Sequence, residues 1–207
     1  MKQSEKFWDR IAERYAKSPI KDEATYQKKL QLTRDYFQED MNILEFGCGT
    51  GSTAIAHSPF VKHILAIDIS SKMIEIATSK AELQQLGNIR FQQTTLEELN
   101  LPDHSFDLVM GHNILHLLTD KDESIRQVHR LLKPGGIFVS TTACIADSMN
   151  FLRFLLPIGK FLRLIPQVTV FSERQLRHSF IQACFEIVYQ WQPGKRQSLF
   201  IVVRKTS

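Results

Sequence analysis

Cysteine is scarce in this chain of 207 residues: Cys48, Cys144 and Cys184 stand far apart, with no CxxC pair among them. That spacing offers neither a zinc knuckle nor a disulfide framework, and it predicts free buried thiols in a reducing compartment. Long apolar runs are missing too. No stretch of about 18 uninterrupted apolar residues occurs, so no segment is expected to span a membrane. The N-terminal MKQSEKFWDR lacks the apolar centre of a signal peptide, which predicts a cytoplasmic protein. There is no low-complexity tract and no block of about five like charges. The net charge of +4 is spread along the chain, so no nucleic-acid partner is expected.

What is present is a pattern that changes along the chain. Phe7, Trp8, Ile11 and Tyr15 recur at spacings of three and four, predicting a helix over 4–17. A second helix is expected over 21–39, with Tyr26, Leu30 and Tyr36 or Phe37 facing inward. Residues 42–46 then form a short apolar run ending in Gly47, Gly49 and Gly51, as a buried strand entering a tight turn does. Strand patterns at 63–68, 88–93, 106–111 and 136–142 alternate with helical ones at 52–57, 72–86 and 120–132. Such alternation predicts βαβ units and an α/β, Rossmann-like doubly wound sheet that is mostly parallel. Strand patterns at 185–191 and 198–205, joined through Pro193 and Gly194, predict a C-terminal antiparallel hairpin. One domain is expected: a helical cap (1–40), a cofactor-binding core (41–143), a hydrophobic cap segment (144–170), and a final helix with the hairpin (171–207).

The glycine turn carries the chemistry. Glycines at these positions let the backbone leave the strand sharply and approach a ligand closely. A helix follows, so free amide groups face that turn. A dinucleotide site favours GxGxxG with the helix N-terminus on a pyrophosphate. Here the spacing is GxGxG, and Glu45 stands two residues before Gly47, where a carboxylate suits an ammonium better than a phosphate. A zwitterionic ligand is implied. Asp68 ends the next strand, where it is placed either to accept hydrogen bonds from ribose hydroxyls or simply to be solvated.

The blocks ILEFGCGTG, AIDIS with SKMIEIA, LPDHSFDLVMGHNILHLL and LLKPGGIFVS occur in order between residues 42 and 140. In these the sequence resembles the class I S-adenosylmethionine-dependent methyltransferases, especially a small-molecule, type 11-like branch, and FSERQLRHSFIQACFEIV is similar to that family's late helix and sixth strand. The resemblance implies a seven-stranded mixed sheet and S-adenosyl-L-methionine as cofactor, with S-adenosyl-L-homocysteine as product. It implies that Glu45, Phe46, Gly47, Cys48, Gly49 and Gly51 hold the methionine part, that Asp68 binds the ribose, and that Ile69 and Met73 wall the adenine. The family often has an acidic residue after the third strand. Thr95 stands there instead, and its hydroxyl together with the Leu96 amide is expected to serve the adenine. Tyr15 is expected either to close over the cofactor or to pack on the sheet edge, and His112 with Asn113 to pass under the methionine moiety.

Methyl transfer from a sulfonium is an in-line displacement, so a base helps only an alcohol, phenol or carbon acid. His112 is the candidate catalytic base, with a wall of the cofactor pocket as its other reading. His116 is expected to share a helix face with His112, but two histidines without a carboxylate companion read as packing or hydrogen-bonding residues rather than metal ligands. The expected partner is a small acceptor, lipidic or quinone-like. Residues 149–166, rich in Phe, Leu and Ile with Arg153, Lys160 and Arg163, have three readings: a core helix pair, a lid over the acceptor, or a peripheral membrane contact. A catalytically silent cofactor-binding protein is the alternative function, and a nicotinamide-dependent oxidoreductase a more distant one.

Overall fold

The structure, a computed structural model, describes residues 2–148, 167–194 and 197–206, so the readings of 149–166 lie outside the described residues. Five strands, β1 (Asn42–Phe46), β2 (His63–Asp68), β3 (Ile89–Gln93), β4 (Phe106–His112) and β5 (Leu132–Thr142), pair in parallel. Two more, β6 (Phe185–Trp191) and β7 (Leu199–Lys205), form the expected hairpin, and β7 lies antiparallel against β5. The seven strands make one sheet in the order β3-β2-β1-β4-β5-β7-β6. Strand order reverses between β1 and β4, and in open α/β sheets the crevice at such a switch point collects ligands.

The central strands are largely apolar because both sheet faces are covered there, whereas the edge strand β3 carries Arg90, Gln92 and Gln93. Leu44 and Phe46 of β1, with Leu65 and Ile67 of β2, enter one core cluster, whereas Ile43, Ile64 and Ala66 enter the other. The same period of two runs through the hairpin: Leu199, Ile201 and Val203 face one cluster, Phe200 and Val202 the opposite one.

Around the sheet lie α1 (Lys2–Lys17), α2 (Glu23–Arg34), α3 (Ser52–His57), α4 (Ser71–Leu83), α5 (Lys121–Leu131), the short α6 (Ile145–Ser148) and α7 (Glu173–Gln182). Side chains start several of them: the amide of Thr25 donates to Asp22 on α2, and that of Met73 donates to the Ser70 hydroxyl on α4. Ser172 and Gln175 close a reciprocal capping box on α7. The second helix ends at Arg34, short of the expected residue 39, because the amides of Tyr36 and Phe37 turn back to Thr33 and Arg34 at 3.2 and 2.9 Å. Tyr36 and Phe37 still pack on the core from that turn.

Two expectations are corrected. Cys48 and Cys144 are buried thiols, but Cys184 is exposed, in the turn between α7 and β6. His112 and His116 do not share a helix face. Pairing of His112 with Thr141 keeps it as the last residue of β4, and His116 falls in a single 3-10 turn, Leu115–Leu117.

Candidate functional site

At the carboxyl end of β1 the chain turns through three left-handed glycines, with φ of +66° at Gly47, +53° at Gly49 and +74° at Gly51. Any other residue costs about 1–2 kcal/mol at each such position. The Cys48 amide donates to the Ile67 carbonyl at 3.0 Å, tying the loop to β2. The three glycines differ in surroundings. A Cβ on Gly47 would stand 2.7 Å from Ile114, and one on Gly51 would stand 2.8 Å from Ala77 and Phe91. A Cβ on Gly49 would meet only Tyr15, at 4.0 Å. Gly47 and Gly51 therefore answer to packing, and Gly49 leaves open a space above the loop.

Asp68 joins the loop to the next turn. Its Oδ2 accepts from the Gly49 amide and its Oδ1 from the Ser70 amide, each at 2.9 Å. Each carboxylate oxygen has a further lone pair for a ligand hydroxyl. Ser70 is tied in turn to α1, since its hydroxyl donates to Asp9 Oδ1 at 2.6 Å. This anchor holds Trp8 and Tyr15, which meet edge to face at 6.4 Å, beside the glycine loop.

These elements enclose a cavity of about 1260 Å³ above the switch point. Glu45, Phe46, Gly47, Cys48 and Gly49 line it from β1 and the loop, and Asp68, Ile69 and Met73 from β2 and α4. Thr95 and Leu96 line it after β3, His112 after β4, and Tyr15 from α1. Gly51 is the exception among the expected residues. It does not face the cavity but packs beneath the loop. The Thr95 hydroxyl accepts from the Glu98 amide at 3.2 Å, which holds its turn in place.

The electrostatics mark two groups. Glu45 is buried, and among the described residues its Oε2 has no hydrogen-bond partner. Burial, seconded by the charge of Asp68 and opposed by the Ala54 amide, pushes its carboxyl up to about 8. His112 is pulled down to about 4, first by burial and then by the charge of Lys29, so its imidazole is neutral at pH 7. Its Nδ1 lies 3.0 Å from Thr141 Oγ1. His116 also lines the cavity and is pulled down to about 4 by burial.

Sequence reasoning missed Lys29, Thr53 and Thr141 as cavity residues, and it placed Tyr26 only in the core. Tyr26 and Lys29 lie three residues apart on α2, the spacing that puts side chains on one helix face. That spacing was available as a signal. Thr141 had none, because only strand register brings it to His112.

A doubly wound sheet with this hairpin, loop and acidic strand end defines the class I S-adenosylmethionine-dependent methyltransferase fold. Residues 37–189 match the family described as a methyltransferase domain, and the chain belongs to that family. An uncharacterized methyltransferase of Bacillus subtilis, YcgJ, is 39% identical over 97 residues, covering 47% of this chain and 38% of that protein. The ubiquinone/menaquinone biosynthesis C-methyltransferase UbiE of Vibrio cholerae is 36% identical over 98 residues, covering 45% and 38%. The matched stretch thus spans 38% of the length of these relatives. The crystal structure of YcgJ superposes with a TM-score of 0.71 at 22% identity, covering 87% of this chain and 99% of YcgJ. The [4+2]-cyclase SpnF superposes with a TM-score of 0.73 at 19% identity, covering 86% and 81%.

The family implies S-adenosylmethionine as cofactor, and the residues present fit it. The partnerless oxygen of Glu45 would take a cationic head, the open face of Gly49 would admit a close approach, and Asp68 has lone pairs to spare.

Proposed function

We propose that this chain transfers the methyl group of S-adenosyl-L-methionine to a small, hydrophobic acceptor. The observation that carries the reading is the buried, partnerless Oε2 of Glu45 beside the glycine loop, which a cationic ligand satisfies by favouring the ionised carboxylate and a pyrophosphate does not. When bound, the cofactor supplies an electrophilic methyl on sulfur and leaves as S-adenosyl-L-homocysteine. Glu45 and Gly47–Gly49 hold the amino-acid part, Asp68 accepts from the ribose, and Ile69, Met73, Thr95 and Leu96 wall the adenine. Tyr15 and Trp8 shield the site from water, which in-line displacement needs more than it needs acid catalysis.

His112 is assigned the base for an acceptor that must lose a proton. With Nδ1–H donating to Thr141 Oγ1, the Nε2 lone pair is free to take it. Ile20, Ile114, Leu117 and Leu118 give the remaining cavity wall an apolar character that suits a quinone-like ring. The name of the UbiE relative supports C-methylation of such an acceptor. We further infer that the protein works in the cytoplasm.

Calorimetric titration with S-adenosyl-L-homocysteine, with NAD as control, tests the reading. Binding of the first alone, weakened about tenfold or more by Asp68→Ala, is expected. Binding of NAD, or indifference to Asp68→Ala, overturns it. A second reading, a cofactor-binding protein that transfers no methyl group, is favoured by the likeness to SpnF, a cyclase on the same fold. A screen for methylated product over quinols, phenols and amines separates the two.

A further inference from the structure

Lys29 lines the cavity from the middle of α2, yet among the described residues its ammonium has no hydrogen bond or ion pair. Only two lysines line the cavity among the described residues, and the other, Lys21, is exposed. Lys29 is half-buried in the same lining as His112, whose imidazole feels its charge. Asp22 attracts it from the start of α2, but Asp22 Oδ1 already accepts the Thr25 amide at 3.0 Å. A cation held in a partly dry cavity without a partner costs free energy that a bound anion returns. Neighbouring groups narrow the ligand. His112 is neutral, Asn113, Thr141 and Ser198 are uncharged polar residues of the lining, and its other charged residues apart from Lys21 are acidic. One singly charged, oxygen-bearing group fits this setting. A phosphate, with two charges, leaves one uncompensated beside Glu45 and Asp68.

We propose that Lys29 is the carboxylate receptor of the cavity, the cationic counterpart to Glu45 in the same lining. This rests on the cavity being the S-adenosylmethionine site. The carboxylate has two possible sources: the amino-acid end of the cofactor, or an acidic acceptor lying over β4 and β5. The same residue chemistry serves either, and the arms of one experiment distinguish them.

Wild type, Lys29→Met and Lys29→Arg are titrated calorimetrically with S-adenosyl-L-homocysteine and with its decarboxylated analogue. Benzoate and benzamide are titrated into each protein with and without S-adenosyl-L-homocysteine. If the cofactor supplies the carboxylate, Lys29→Met weakens S-adenosyl-L-homocysteine about tenfold to a hundredfold, spares the decarboxylated analogue, and is largely rescued by Lys29→Arg. If the acceptor supplies it, Lys29→Met leaves S-adenosyl-L-homocysteine alone and abolishes a wild-type preference for benzoate over benzamide. Either pattern supports the proposal. Unchanged S-adenosyl-L-homocysteine affinity together with no benzoate preference in wild type overturns it. Equal weakening of both nucleoside ligands by Lys29→Met also overturns it, since a general loss is not a carboxylate effect. Wild type that binds neither nucleoside ligand refutes the methyltransferase reading instead.

Discussion

Alanine at Gly51 and alanine at Gly49 separate the two tasks of the glycine loop. Both residues have positive φ, +74° and +53°, so each substitution carries the left-handed cost of about 1–2 kcal/mol. At Gly51 the new methyl also stands 2.8 Å from Ala77 Cβ and from two atoms of the Phe91 ring. Both neighbours are anchored, Ala77 in α4 and Phe91 in β3, so neither yields cheaply. Overpacking of this kind adds about 1–3 kcal/mol, bringing Gly51→Ala to about 2–5 kcal/mol. At Gly49 the nearest atom is Tyr15 Cε1 at 4.0 Å, so the conformational cost stands alone. In a domain of this size about 1 kcal/mol moves the melting temperature by about 2–4 °C. Gly51→Ala is therefore expected to melt about 10 °C below wild type, and Gly49→Ala about 4 °C below. Ligand affinity runs the opposite way. Gly49→Ala fills the open face of the loop and weakens S-adenosyl-L-homocysteine strongly, while folded Gly51→Ala binds nearly as wild type because Gly51 does not face the cavity. Thermal unfolding without ligand and calorimetry at a temperature where both variants are folded give the two readouts. Equal melting temperatures, or wild-type affinity in Gly49→Ala, refute the reasoning.

His112→Asn should lower turnover of an acidic carbon or phenol acceptor by about 10²–10⁴-fold while leaving S-adenosyl-L-homocysteine affinity nearly unchanged. Equal turnover in the two proteins removes His112 as base. His57 makes a prediction about acid stability. It is buried against Phe37, both ring nitrogens lack partners among the described residues, and burial pulls it down to about 3. The unfolded chain takes up that proton near pH 6.5, so stability is lost as pH falls from about 6.5 towards 3, at about 1.4 kcal/mol per pH unit. His57→Leu should therefore gain about 2 kcal/mol on wild type between pH 7 and pH 5, read from urea midpoints. A difference independent of pH sinks this account.

Much of the fold was legible because few residue types tolerate its backbone. Gly47, Gly49 and Gly51 sit where side chains are excluded by φ, and continuous apolar runs such as Ile64–Ile67 announce strands covered on both faces. Helix ends were less legible. The turn at Tyr36 and Phe37 breaks α2 early although the apolar spacing continues, because those two side chains reach the core from outside the helix. The supposed helical pairing of His112 with His116 failed for a related reason: a spacing of four describes a helix only when the backbone is one, and β4 extends through His112. Residues joined by sheet register, such as Thr141 beside His112, leave no trace in local sequence.

The two halves of the cavity are written in different ways. The half beside the glycine loop needs left-handed glycines, an acidic strand end and a capped α4, and each is a backbone demand that sequence displays. The other half is made by Lys29 from α2, Asn113 after β4, Thr141 of β5 and Ser198 before β7, side chains carried on elements that fold without them. Nothing in the packing of α2 asks for a lysine at position 29. Leu30 and Thr33 are the α2 residues buried in the interior, and Lys29 lies on the neighbouring face towards the cavity. Such positions are free to change without cost to the fold, and a fold of this kind also carries SpnF, named a [4+2]-cyclase. A charged residue that the fold does not require, held half-buried with no hydrogen bond or ion pair among the described residues, is what the proposed carboxylate accounts for.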